Sequence, residues 1–291
     1  MPILSPENFG SWYVISLDGK RRLLQSFSET FNVETNTEKP ALQGDIGKHI
    51  ANIGPSHYQL VLNSPILILQ PSGLFYDTFD IVLENLDKLQ KPITNANVGD
   101  FSYVLDSANI NLATEGSTVT VTLESWQNFD SAKQYRPADQ FFFGRVAKFY
   151  DIAFSMFGNE YLVQQANLQI KVNNEKHFYV SGSNSYLGNQ VPKYSVYGYS
   201  VSGDVTLVVK PEQYETLRLY NAQSPGIFNA TKESVGLKIF NRPSGVIEDK
   251  SIDFGDFAFM PSINLEINAN QVITAKVNFV TLFRRTSIIN Y

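Results

Sequence analysis

In residues 197–209, YGYSVSGDVTLVV, apolar residues alternate with small or polar ones. This period of two is typical of a β-strand with one face in a core and the other toward solvent. Gly203 divides the stretch, so we predict two strands, one with Tyr197, Tyr199 and Val201 and the other with Val205, Leu207 and Val209.

The same alternation occurs upstream in Leu168, Ile170 and Val172. Asn173-Asn174 indicates a turn after it, with residues 176–181 returning as a strand. A polar stretch over 182–192 predicts a long loop. Pro211 at a first helical position, followed by Glu212, predicts a short helix. Further strands are predicted over 236–240, 257–267 and 271–283.

The first half shows the same order of elements. Asp18-Gly19, between two β-prone runs, predicts a tight hairpin. A polar stretch over 32–54 predicts a long loop, and strands over 58–62 and 66–69 are predicted on either side of a break at 63–65. Apolar residues at helical spacing predict a helix over 74–90. Two more strands follow over 101–112 and 118–125, joined by a turn at Glu115-Gly116.

Two local matches support an internal repeat. Ile110-Asn111-Leu112 corresponds to Ile263-Asn264-Leu265, and Asp100-Phe101 corresponds to Asp256-Phe257. Because the element order also repeats, we favour a duplication over two unrelated hairpins that share their alternation. The predicted domains are residues 1–127 and 145–291, with a linker over 128–144.

The second half, over roughly 162–282, resembles the tail tube proteins of long-tailed bacteriophages and contractile injection systems. The resemblance rests on 197–207, on PEQYE at 211–215, on INLEI at 263–267 and on ITAKVNF at 273–279. In that family a strand, a small-residue break, a strand, a short helix and a final hairpin follow one another. The first half shares only the element order.

The resemblance implies a mainly β fold with two similar β-sandwich or partial-barrel domains, each carrying one α-helix. It further implies that such domains form a closed ring β-barrel on assembly, as trimeric or hexameric rings that stack into a tube. Sheath, baseplate and tape-measure proteins are the implied partners, and DNA is a transient passenger of the lumen. The implied location is the virion tail, assembled in the host cytoplasm.

The resemblance also suggests which residues take part in assembly. The two long loops would reach neighbouring subunits, through Asn32, Glu34, Lys39, Gly44, Asp45 and Gly47, and through Ser183, Asn184, Tyr186 and Gln190. Strands of the ring and lumen would include Tyr197, Tyr199, Val201, Val205, Leu207, Val272, Thr274 and Lys276.

Residues that could carry chemistry are sparse. The three histidines, His49, His57 and His177, show no metal-ligand spacing. The serine-rich Gly182-Ser183-Asn184-Ser185 is not a nucleophile elbow. Acidic residues near 248–256 are the candidates for a glycosidase pair, but solvated carboxylates explain them more simply. We therefore predict no catalytic residue, no metal and no cofactor.

Composition excludes several classes of protein. The net charge of −5 argues against a general nucleic-acid-binding protein. The absence of cysteine excludes disulfides and thiolate metal sites. No signal peptide or membrane anchor is recognised, so we expect a soluble protein. The favoured hypothesis is a non-enzymatic tail tube subunit. The alternatives are a tube-like baseplate, hub or tube-initiator ring, a β-sandwich adhesion module that binds carbohydrate or protein, and a hydrolase with paired carboxylates.

Overall fold

The structure is a computed structural model that describes residues 13–17, 20–38, 50–68, 75–87, 104–125, 136–137, 145–177, 193–222, 234–241, 247–259, 261–267, 273–281 and 284–290. Within these residues the chain is mainly β, and every paired strand is antiparallel to its neighbour. The mainly β fold predicted from the sequence is therefore confirmed.

The first half contains the strands β1 (Tyr13–Leu17), β2 (Lys20–Leu24), β3 (Ser26–Glu38), β4 (Ile50–Pro65), β5 (Leu67–Ile68), β6 (Val104–Leu112), β7 (Thr118–Ser125), β8 (Arg136–Pro137) and β9 (Arg145–Val146). The second half contains β10 (Ile152–Met156), β11 (Asn159–His177), β12 (Lys193–Val209), β13 (Ser234–Asn241), β14 (Ile247–Asp256), β15 (Ser262–Glu266), β16 (Ile273–Val280) and β17 (Arg284–Asn290). The helices are α1 (Phe79–Asp87) and α2 (Pro211–Ala222), with a 3-10 turn at Phe149–Asp151.

One large sheet passes through both halves. Its central part consists of two four-stranded units with the same strand order, β3-β4-β7-β6 and β11-β12-β16-β15. The units join because β6 pairs with β11. The start of β11 also pairs with β10, which continues through β13 to β14. This sheet does not close into a barrel within the described residues.

A single hydrophobic core lies against one face of this sheet. Leu62 and Val121 from the first unit, and Leu168 and Val277 from the second, belong to the same buried cluster. The same cluster includes Phe79 of α1, Phe154 of β10 and Leu237 of β13, all fully buried. In β7, β11, β12 and β16 buried residues alternate with more exposed ones, so burial of one face of the sheet fixes the register of both units.

Several sequence predictions are confirmed. Leu17 pairs with Lys20 across Asp18-Gly19, as the tight hairpin requires. The strands around Glu115-Gly116 are β6 and β7, and the short helix at Pro211 is α2.

Gly203 does not separate two strands, because β12 runs through it without interruption. A Cβ atom at this position would lie 2.5 Å from Cδ2 of Leu168 and 3.0 Å from the backbone oxygen of Asn167. The glycine is therefore explained by the close approach of β11. Asn173-Asn174 is likewise not a turn. It marks a register irregularity inside β11, which continues to His177 because β12 supplies hydrogen-bonding partners along this whole length.

The predicted loop over 32–54 was wrong at both ends. Asn32 and Glu34 lie in β3, which extends to Glu38, and β4 begins at Ile50. Backbone pairing between β3 and β4 needs no apolar side chains, so the polar sequence concealed it. The predicted break at 63–65 also belongs to β4, with proline at the end of the strand.

The helix predicted from residue 74 begins only at Phe79. The backbone of Tyr76 bonds to β2 instead, accepting from the amide of Leu23 at 2.9 Å and donating to the carbonyl of Arg21 at 2.7 Å. The sequence prediction also missed β14 and β17. It gave one strand over 257–267, where only 262–266 form β15.

Candidate assembly surface

The face of the large sheet opposite the core carries mostly uncharged polar side chains. We call this surface the polar face and define it by residues Ser26, Ser28, Asn63, Ser107, Asn109, Asn111, Thr118, Thr120, Thr122, Gln165, Asn167, Gln169, Lys171, Ser202, Asp204, Thr206, Ser262, Asn264, Glu266, Thr274, Lys276 and Asn278. It arises because each strand places amide or hydroxyl side chains between its buried apolar residues. The surface therefore spans both halves of the chain.

Cross-strand pairing arranges these side chains in rows. In one row each residue lies directly opposite the next on the neighbouring strand, from β12 to β3: Ser202, Gln169, Asn109, Thr120, Asn63 and Ser26. A second row runs from β15 to β7: Ser262, Asn278, Asp204, Asn167, Asn111 and Thr118. Both rows pass from one unit to the other without a break in polarity.

Charges on the polar face are balanced. They are Lys171, Lys276, Asp204 and Glu266. The Nζ atom of Lys276 lies 3.0 Å from Oε1 of Glu266, and both side chains are well exposed. Since equal numbers of positive and negative groups are present, this face carries no net charge that would attract a polyanion.

A groove of about 410 Å³ lies on the polar face where the two units meet. Side chains of Asn109, Gln169, Asp204 and Asn278 line it, together with Phe259, which is 58% exposed. The groove crosses from β6 over β11 and β12 to β16 and β15, so the polar face is concave at this junction.

The junction between the two units is a regular antiparallel ladder. Asn167 lies opposite Asn111, Leu168 opposite Ile110 and Gln169 opposite Asn109. Leu168 and Ile110 are fully buried, whereas the two amide pairs are exposed on the polar face. The division into apolar core and polar face thus continues through the junction.

The outer strands of the two units have open edges. Among the described residues, β3 pairs with β4 and with no other strand, and β15 pairs with β16 and with no other strand. On β3, Phe31 is 52% exposed and packs on Tyr58 at a ring distance of 4.6 Å. Burial, and to a smaller extent the charge of Glu29, raises the pKa of Tyr58. Open edges of this kind are sites for pairing with another chain.

Buried charged residues connect the two halves of the chain through hydrogen bonds and an ion pair. Asp77 accepts the amides of Leu67 at 2.8 Å and Phe79 at 3.2 Å, and it binds Nζ of Lys250 from β14 at 2.5 Å. Buried Arg22 donates to the backbone carbonyl of Asp77 at 2.6 Å and contacts the carboxylate of Asp80. This network is structural, because its acceptors are occupied by protein donors.

The predicted site residues fall into four groups. Asn32 and Glu34 lie in β3 and Tyr197 lies in β12, whereas Lys39, Gly44, Asp45, Gly47, Ser183, Asn184, Tyr186, Gln190 and Val272 lie outside the described residues. Thr274 and Lys276 belong to the polar face. The apolar residues predicted for the ring strands, Tyr199, Val201, Val205 and Leu207, are buried in the core. Most of the polar residues that lie between them on the polar face were not among the predicted residues.

Metal-ligating side chains do not cluster in the described part of the chain. No group of three or more His, Cys, Asp or Glu residues that could hold a metal ion occurs in it. His57 lies in β4 and His177 at the end of β11, while His49 is outside the described residues. No helix in the described ranges is long and apolar enough to cross a membrane.

Comparisons with known proteins did not identify a relative: no protein-family model and no curated protein matched the chain.

Proposed function

We propose that this protein is a virion structural protein, a tail tube subunit whose two tail-tube-like domains assemble with other copies into rings. The stacked rings would form a channel for DNA passage. The main support for this proposal is the single sheet, which is built from two units of identical strand order. Within the described residues this sheet has a continuous polar face, and the outer strand of each unit has an open edge.

A ring is built from repeated units, and this chain already contains two units with the same strand order. A four-stranded unit followed by a second of the same order already forms part of a larger sheet, so each additional copy can extend that sheet in the same direction. Closure of such a sheet removes its open edges, which otherwise favour uncontrolled aggregation. Head-to-tail contacts between rings need no closure and give a filament.

The polar face has the chemistry expected of a DNA channel. Phosphate binding requires Lys or Arg in excess, and affinity grows with each phosphate neutralised. Here Lys276 is paired with Glu266, and Asp204 offsets Lys171. Amide and hydroxyl groups keep the surface hydrated without holding the polyanion. We therefore assign the polar face to the lumen.

Light scattering of the purified protein over a range of concentrations tests the proposal. Assembly into discrete rings gives a mass that rises to a fixed multiple of 32.7 kDa, and stacking then adds further multiples of that ring. A mass that stays at one chain up to the highest soluble concentration would contradict it.

The same assembly would suit a tube-like baseplate, hub or tube-initiator ring. Sheath, baseplate and tape-measure proteins are the partners of either role, with the virion tail as the location. Tubes of unlimited length favour the tail tube, whereas rings that stop after one or two layers favour the baseplate role. Electron microscopy separates these two outcomes.

The groove favours a second candidate function, a carbohydrate-binding module. Exposed Phe259 beside the amides of Asn109 and Gln169 and the carboxylate of Asp204 could stack on a sugar and bond its hydroxyls. Binding of a monomer to a glycan array, lost in Phe259→Ala and kept in Phe31→Ala, would support this function. If no glycan binds, the candidate is rejected.

A further inference from the structure

We infer that copies of this chain join through β3 of one copy and β15 of the next, in the register already present between β11 and β6. The inference rests on the proposed assembly and specifies its contact surface. It follows from the equivalence of the two units. In that equivalence β3 takes the place of β11, and β15 takes the place of β6.

The register follows from the repeated triplet Ile-Asn-Leu. Ile110 pairs with Val119 in the first unit, and Ile263 pairs with Val277 in the second. On the next strand of each unit, Val119 pairs with Ser64 of β4, and Val277 pairs with Val205 of β12. These two positions of β4 and β12 are therefore equivalent.

The same ladders continue to the outer strands. Leu62 and Gly203 lie two residues earlier in β4 and β12. Leu62 pairs with Phe27 of β3, and Gly203 pairs with Leu168 of β11. Phe27 is thus the equivalent of Leu168. Since Leu168 lies opposite Ile110, Phe27 of one copy would lie opposite Ile263 of the next.

The neighbouring pairs preserve the chemistry of both faces. Ser26 would lie opposite Asn264, and Ser28 opposite Ser262, which continues the polar face across the contact. Half-buried Phe27 and buried Ile263 would continue the core. The inferred contact brings no like charges together at these pairs. It ends at Pro261, because proline has no amide hydrogen to donate.

Neither edge of the inferred contact has another strand partner within the described residues, so the contact replaces no strand pairing in that part of the fold. Phe31, exposed on β3, lies beyond the inferred pairs and adds apolar area toward the neighbouring copy. A second copy is therefore the occupant to which we commit.

Disulfide trapping tests the register, because the wild-type chain has no cysteine. Ser28→Cys with Ser262→Cys places two thiols directly opposite each other across the inferred contact, within the Cα separation that a disulfide spans. Both serines are exposed, so the substitutions should not disturb folding. Oxidation of the assembled protein should give a ladder of covalent multimers in denaturing gels that reductant abolishes.

Two controls accompany this variant. Asn109→Cys with Gln169→Cys reports the junction inside one chain and should cross-link without increasing the mass. Ser28→Cys with Glu266→Cys is four residues out of register, roughly 13 Å along the strand, and should give less than a tenth of the multimer.

Two results would overturn the inference, and they have different consequences for the proposed function. Assembly seen by light scattering with no excess of multimer in the register pair over the off-register pair rejects this contact but leaves the proposed function standing. A chain that remains monomeric while the internal control cross-links rejects both.

Discussion

Leu168 in β11 lies directly opposite Ile110 in β6, and this pair joins the two halves of the chain in one sheet. Both side chains are fully buried. The pair shows how one four-stranded unit docks on another through backbone pairing on one side and core packing on the other.

Gly203→Ala should destabilise the protein by about 1–3 kcal/mol, the usual cost of overpacking a core. The new methyl group would lie 2.5 Å from Leu168 and 3.2 Å from Phe279, with the backbone of Asn167 at 3.0 Å. Urea unfolding measures the change.

The double variant Gly203→Ala with Leu168→Ala serves as the control for that prediction. Removing the Leu168 side chain relieves its part of the clash, so the double variant should be more stable than the sum of the single changes predicts. Additive losses would show that the glycine is not explained by contact with Leu168.

Asp77→Ala should cost about 3–5 kcal/mol, as expected when one partner of a buried ion pair is removed. It would leave Lys250, whose side chain is 15% exposed, without its carboxylate, and the amides of Leu67 and Phe79 without their acceptor. The matched control is Glu266→Gln, which breaks an exposed pair with Lys276 and should cost below about 1 kcal/mol. Equal losses in both variants would contradict the assigned role of Asp77.

Tyr161→Phe should change the stability of the protein at alkaline pH. Burial raises the pKa of Tyr161 from 10.0 to about 12. The folded state therefore retains a proton that the unfolded state loses, so this contribution to stability is complete below pH 10 and is lost as the pH rises through 12. The variant should show a shallower decline of unfolding free energy between these values.

At neutral pH the same substitution should cost at most about 1.5 kcal/mol, the usual net worth of one hydrogen bond. The Tyr161 hydroxyl is buried and interacts with the side chain of Asn159, so the substitution removes this interaction together with a desolvated polar group. Chemical unfolding at pH 7 and at pH 11 compares the two conditions. A larger loss at pH 11 than at pH 7 would contradict the assigned role of the Tyr161 proton.

Asn111→Lys with Gln169→Lys should make the proposed tube retain DNA, if its lumen is lined by the polar face as we propose. Both residues are exposed on the polar face. The added charges should bind phosphates with an affinity that falls steeply with salt. The control is Ser234→Lys with Ser251→Lys, at exposed positions of β13 and β14 outside the polar face. Equal DNA binding by both variants would contradict the assignment of the polar face to the lumen.

Much of the fold could be predicted from local patterns. The Asp18-Gly19 hairpin and the strands of β6 and β7 follow from turn chemistry and alternation. The Gly203 and Asn173-Asn174 positions could not, because glycine and asparagine also serve close packing and bulges. Whether such a residue forms a turn, a bulge or a close contact depends on the position of the neighbouring strand.

The candidate surface was harder to predict than the fold. Tyr199, Val201 and Leu207 stand out in the sequence because they are apolar, yet they are buried. The informative residues are Ser202, Gln169 and Asn109, which become a row only when β12, β11 and β6 are placed side by side. Pairing between the two halves is non-local, so no sequence window contains this row.

Electron microscopy of the assembled protein, viewed along its axis, should show rings with a central hole. The sheet should surround this hole, with Asn109, Gln169 and Ser202 facing it. Particles without a hole, or rings whose inner wall is formed by α1 and α2, would contradict the proposed assembly.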